Sequence, residues 1–190
     1  MVNCEVSSGG GGSYVSQACD CHLMIEDVVA QIKEKGSTVV VTCRVLAATD
    51  ANQVELTLTE YLQAYGGAVD KLYNCALATG VITAAQLAAA KEKGVGLSFN
   101  ENLMKGKQFC AKVVMEPKQV LNTTTGIYDN DPSGKMYARF GFDSFALTDS
   151  RAAAIPKDPQ FAGMVGGQAP AAAPQQPAAP VVTNDMASMF

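Results

Sequence analysis

The chain has 190 residues, of which 48% are hydrophobic and 17% charged, with a formal net charge of -4 at pH 7. That length suits one domain with a tail, and the apolar fraction suffices for a core. The acidic balance excludes a uniformly basic nucleic-acid binder, and no apolar run is long enough to span a bilayer.

Divided by region, the charge reads differently. Residues 1–62 carry eight acidic and three basic residues, whereas 91–118 hold six lysines against three glutamates. A local basic patch can steer a polyanion even on an acidic molecule. The opening MVNCEVSSGGGG has neither a basic nor an apolar signal region, so a soluble, cytoplasmic protein is expected.

Residues 1–13 end in SSGGGGS and are expected to be a flexible lead-in to a domain at 14–161. Residues 19–29 alternate as a strand does, with Cys19, Cys21, Leu23 and Ile25 on one face and Asp20, His22, Met24 and Glu26 on the other. Spacings of three and four in 23–34 leave a helix as the alternative. Lys35 and Gly36 mark a turn into 35–47, where Val39, Val41, Cys43 and Val45 face inward and Thr38, Val40, Thr42 and Arg44 outward. After a turn at 48–53, Val54, Leu56 and Leu58 of a third strand point to the core, and Glu55, Thr57, Thr59 and Tyr61 point out. The three segments form an antiparallel meander with 35–47 in the middle.

Helical spacing follows in 64–79 through Tyr65, Val69, Leu72 and Ala76. A second helix has a capping box in Thr83 and Gln86 and a C-terminal stop at Gly94. The fourth strand, 109–115, turns Phe109, Ala111, Val113 and Met115 inward and Cys110, Lys112, Val114 and Glu116 outward. A polar connection with NTTTG and YDNDPSGK leads to the fifth. That strand is predicted to bury Met136, Ala138, Phe140 and Phe142 and to expose Tyr137, Arg139, Gly141 and Asp143, with Phe145 past a bulge. Residues 162–190 form a low-complexity tail, with four prolines between Pro170 and Pro180, closing on TNDMASMF. The apolar tip at Met189 and Phe190 suits a tethered docking peptide whose terminal carboxylate meets a basic group.

Motifs for nucleotide loops, zinc proteases, nucleophile elbows and EF-hands are missing from the sequence. Six cysteines are expected to be buried free thiols rather than a disulfide framework. Cys19, Cys21 and His22 lie close in sequence, but a strand sends the thiols and the imidazole to opposite faces. Asp129 and Asp131 sit in a segment that reads as a solvated turn. No catalytic residue, metal site or cofactor is expected, and no enzyme.

A polymer-binding surface accounts for more of the residues. Tyr61 and Tyr137 are outward aromatics that can stack bases, and Arg44, Lys105, Lys107, Lys112 and Arg139 are cations that can meet phosphates. Plainer roles compete: Tyr61 as the rim of the core, the lysines as solvated side chains, and Arg139 as a partner of Asp143.

The segments HLMIEDV at 22–28, KGSTVVVTCRVLAAT at 35–49, KLYNCALATGVIT at 71–83, GKQFCAKVVME at 106–116 and FALTDSRAAAIPKDPQ at 145–160 bear a family likeness. Together they resemble the OB-fold single-stranded DNA-binding proteins encoded by many bacteriophages and some bacteria. The resemblance implies a mainly β, five-stranded OB barrel with two short helices inserted between strands three and four. It also implies sequence-independent coating of single-stranded DNA during replication, recombination or repair, in the host cytoplasm if phage-encoded, by a chain that can form homo-oligomers. The tail resembles the disordered arms by which bacterial single-stranded DNA-binding proteins recruit replication or recombination proteins. Carried over, that role falls on Asp185, Met189 and Phe190, although the acid near the tip is Asp185 alone and Met189 stands where proline is common. The alternative is a phage structural or recombination-accessory protein using the barrel for protein contacts.

Overall fold

The computed structural model describes residues 13–33 and 36–162. Cys4, Lys35 and the tail residues Asp185, Met189 and Phe190 lie outside the described residues.

The valine-rich segment forms the middle of the meander. β1 (Cys19–Lys33) and β2 (Gly36–Ala48) make a long antiparallel hairpin, and β3 (Thr57–Gln63) pairs with the other edge of β2. Val39, Val41, Cys43 and Val45 are all buried on the inner face. Over its described residues, 23–33, the helical alternative does not form, because β1 keeps backbone partners on β2 through that stretch. A register shift between Ile25 and Asp27 skips Glu26, so Glu26 and Asp27 both face solvent and Val28 returns to the core. Strict alternation would have buried Asp27. At the start of β2, Gly36 has φ +135, and a Cβ there would lie 2.6 Å from Tyr65 Cδ1, so this corner requires glycine.

The third strand begins later than its hydrophobic pattern suggests. Glu55 has a positive φ of 66, and Val54 and Leu56 are only partly buried. A single turn at Gly66–Ala68 precedes α1 (Val69–Ala78), which buries Leu72, Tyr73, Cys75 and Ala76. α2 (Ala84–Glu92) carries the predicted capping box: Thr83 Oγ1 accepts from the Gln86 main-chain N–H, and the Thr83 N–H donates to Gln86 Oε1.

β4 (Gln108–Pro117) pairs with the free edge of β1. A small hairpin follows, β5 (Gln119–Leu121) with β6 (Tyr128–Asn130). Here Asp129 accepts from Asn122, and Asp131 lies 2.9 Å from Lys118 Nζ. The predicted fifth strand is broken into β7 (Met136–Arg139) and β8 (Ser144–Phe145), which pair with opposite ends of β4. Gly141, at φ +51, lies in the break. Ala138 and Phe140 are buried as expected, but Met136 and Phe142 are exposed, contrary to simple alternation. The described residues end on α3 (Pro159–Ala162).

The sheet order is β3-β2-β1-β4-β7, with β8 also on β4. A closed five-stranded barrel needs a ladder between β3 and β7, and among the described residues none is formed. The protein is mainly β, with an antiparallel sheet whose inner face packs against α1. On the other side of β4, Cys110, Phe145, Ala152 and Ile155 form a second small cluster. His22 is buried there: Nδ1 accepts from the Asp158 main-chain N–H at 3.2 Å, so the proton sits on Nε2, 3.1 Å from Gln108 Oε1. The five described cysteines are free and buried. Among the described residues, no helix is long and apolar enough to cross a membrane.

Candidate nucleic-acid interface

β3 and β7 are the two ends of the sheet, yet they meet. Arg139 Nη1 donates to the Thr59 carbonyl at 3.0 Å, and Glu60 Oε2 accepts from the Phe140 main-chain N–H at 3.0 Å. Along the edge of β3, Thr57 exchanges hydrogen bonds with Ser13 and Val15, and the Tyr61 N–H donates to Glu60 Oε1. Side chains and a short N-terminal segment thus satisfy part of an edge that a paired strand would otherwise cover.

This side-chain contact brings together three of the predicted site residues. Tyr61 points outward from β3, while Tyr137 and Arg139 stand two apart on β7 and so share its outer face. The guanidinium Cζ of Arg139 lies 5.2 Å from the Tyr61 ring centroid and 5.6 Å from that of Tyr137. Lys135 continues the alternation, its Nζ 5.3 Å from the Tyr137 centroid. Tyr61 is 46% exposed and Tyr137 36%, so both rings contact their neighbours while presenting surface to solvent. A planar guanidinium between two rings suits both cation–π attraction and stacking, and lysine could not reproduce its plane.

The residue that holds this stack is one the sequence reading passed over. Glu60 is 2% exposed. Its Oε1 lies 3.7 Å from Arg139 Nη1 and 4.0 Å from Lys71 Nζ of α1. Two backbone N–H groups and two cations therefore surround the carboxylate, which burial of a charge demands. The field of Glu60 reaches the core as well: burial, with a smaller contribution from Glu60, pushes the Cys75 thiol up to about 12. Arg139 does not pair with Asp143, the partner that a same-strand reading offered. The sequence did hold a signal for Glu60, since it occupies an inward position between Leu58 and Leu62.

The remaining predicted cations divide into two groups. Arg44 is committed to acids, with Nε 2.7 Å from Glu26 and Nη1 2.9 Å from Glu55. Its affinity for the proton is raised chiefly by the hydrogen bond to Glu55, then by that to Glu26. Lys105 lies 3.0 Å from Asp27, whose carboxyl is held below its usual range by that hydrogen bond. Lys112 and Lys107 are exposed and, among the described residues, form no ion pair within 4.0 Å. Lys112 is on the same outer face of β4 as Val114, whose partner on β7 is Arg139. Lys107 lines an open cleft of about 470 Å³ between the end of α1 and Leu147–Thr148.

The site offers stacking surfaces, cations and hydrogen-bond donors. Among the described residues, no group of three or more His, Cys, Asp or Glu side chains could hold a metal ion. The described thiols whose pKa is shifted are all shifted upward, chiefly by burial, which disfavours the reactive thiolate. No family model matches the chain, and no curated protein matches it.

Proposed function

We propose that this chain binds single-stranded DNA without reading its sequence, coating and protecting the strand during replication or recombination. The observation that carries this reading is the pair of exposed rings, Tyr61 and Tyr137, set against the partly buried guanidinium of Arg139 across the β3–β7 gap. Each nucleobase has a flat apolar face, so an alternating surface of rings and a guanidinium accepts any base; such stacking contributes about 1 to 3 kcal/mol per base. Lys112 and Lys107 supply cations not engaged with carboxylates of the described residues, and displacement of counterions by them would make binding weaken with salt.

The same contacts support an OB-type barrel as the finer description of the fold. In that description β1 to β4 and the interrupted β7–β8 segment are the five strands, and the Arg139 and Glu60 side chains stand in for the missing ladder. Residues 162–190 complete the proposal as a recruiting tail, with Asp185, Met189 and Phe190 engaging replication or recombination proteins.

Fluorescence anisotropy with labelled single-stranded and duplex oligonucleotides across a salt series tests the reading. Preference for the single strand, lost in Tyr137→Ala and Arg139→Ala, is expected. Equal or absent binding to both forms overturns it.

A further inference from the structure

Phe142 has no part in the function just described, and the sequence pattern assigned it to the core. Its ring is instead 55% exposed, next to Gly141 in the break between β7 and β8. Lys71 Nζ stands 5.8 Å from the Phe142 centroid. That same ammonium is 4.0 Å from Glu60 Oε1, and the same oxygen is 3.7 Å from Arg139 Nη1. One buried oxygen thus joins two cation–ring units: Phe142 with Lys71 on one side, and Arg139 with Tyr61 and Tyr137 on the other.

The joint has an electrostatic consequence. Arg139 and Lys71 together carry two positive charges, and the Glu60 carboxylate balances one of them at close range. Both cations are largely buried, with 21% of each side chain exposed. Arg139 also donates from Nη1 to Thr59 and lies against two rings, which leaves less of its donor fork for a phosphate. A phosphate approaching either cation is also repelled by the carboxylate behind it, so it feels a net charge of one rather than two, whereas an uncharged base meets no such repulsion.

Building on the single-stranded DNA reading, we propose that Phe142 and Lys71 form a second nucleobase-stacking position. Glu60 is the positioning residue that holds both cation–ring units in place, and the combined platform binds bases rather than phosphates. Phosphate neutralisation falls to cations elsewhere, Lys112 and Lys107 among them.

The test uses the full chain and two labelled oligonucleotides of equal length, oligothymidine and a counterpart whose sugars are mostly abasic, measured by anisotropy over a potassium chloride series. Phe142→Ala is expected to weaken oligothymidine binding about fivefold or more, as loss of one stacked base implies. It should leave abasic binding and the salt slope unchanged, and Phe142→Tyr should restore affinity. Glu60→Gln removes the internal counter-charge, so the salt slope should steepen by about 0.7, the effect of one more phosphate contact on a single strand. A merely structural role for Glu60 would not steepen it. Loss of oligothymidine and abasic binding in equal measure in Phe142→Ala, or no change in either, overturns the proposal. An unchanged slope in folded Glu60→Gln overturns the positioning role. If circular dichroism shows that Glu60→Gln does not fold, the Phe142 pair decides. Wild-type protein that binds no oligothymidine overturns the functional reading itself, whereas intact wild-type binding with an indifferent Phe142 overturns the stacking position alone.

Discussion

Arg139 on β7 donates to the main-chain carbonyl of Thr59 on β3 at 3.0 Å, across a gap that no backbone ladder spans. The two residues are 80 positions apart in the chain, and the same guanidinium lies 5.2 Å from the Tyr61 ring centroid and 5.6 Å from that of Tyr137. One side chain therefore serves both the fold and the candidate surface. It ties the ends of the sheet, and it fills the space between two rings with a plane of its own.

Arg139→Ala should accordingly lower stability as well as binding. A hydrogen bond from a charged group contributes about 1.5 to 3 kcal/mol, and a loss of that size is expected from urea titration followed by far-UV circular dichroism. Arg139→Lys retains the charge without the planar fork, so it should fall between the wild type and the alanine variant.

Glu60→Ala should be the more damaging change. It leaves the Phe140 and Tyr61 N–H groups without their acceptor and strips Lys71 and Arg139 of a shared counter-charge. Removing one partner of a buried ionic group costs about 3 to 5 kcal/mol. A urea midpoint close to that of the wild type would show that the carboxylate is dispensable.

His22, the single histidine of the chain, gives the fold a pH dependence. Burial lowers its pKa below the ordinary value of 6.5, outweighing the hydrogen bond to Gln108. In the interval between the folded value and 6.5 the unfolded chain binds a proton that the folded chain does not, so stability must fall as pH drops through that window. Above it His22 adds no pH dependence. Protonation also removes the acceptor for the Asp158 N–H, so the 150–158 segment should loosen from β1 on acidification. An NMR titration of the one imidazole, with urea midpoints measured in parallel, checks both statements; a midpoint above 6.5 would contradict them.

The exposed cations should separate in a salt series. Lys112→Ala is expected to flatten the slope of log K against log salt by about 0.7, one phosphate contact on a single strand. Arg44→Ala should change it much less, because Glu26 and Glu55 already balance that guanidinium. Equal effects from the two substitutions would mean that the acids release Arg44 on binding.

Much of the sheet was legible in the residues because alternation is a local property. Val39, Val41, Cys43 and Val45 mark β2 whatever lies around them, and Thr83 with Gln86 marks the start of α2. Phe142 was misplaced because Gly141 interrupts the period, and a pattern count continues through a break that the backbone does not. The Tyr61, Tyr137 and Arg139 cluster was visible only as three separate outward residues. Their meeting depends on the curl of the sheet, which is set by long-range packing. Glu60 was the clearest missed signal: an acid at an inward position must have partners, and these are Lys71 on α1 and Arg139 on β7, the second of them remote in sequence.

Photo-cross-linking of the full chain to a single-stranded oligonucleotide bearing 5-iodouracil, with the adducts located by mass spectrometry, tests the central claim most directly. The expected result is adducts on Tyr61 and Tyr137 that form with the single strand, do not form with a duplex, and diminish in Arg139→Ala. Adducts confined to other surfaces, or formed equally with duplex, would contradict the assignment of this stack as the DNA-binding site.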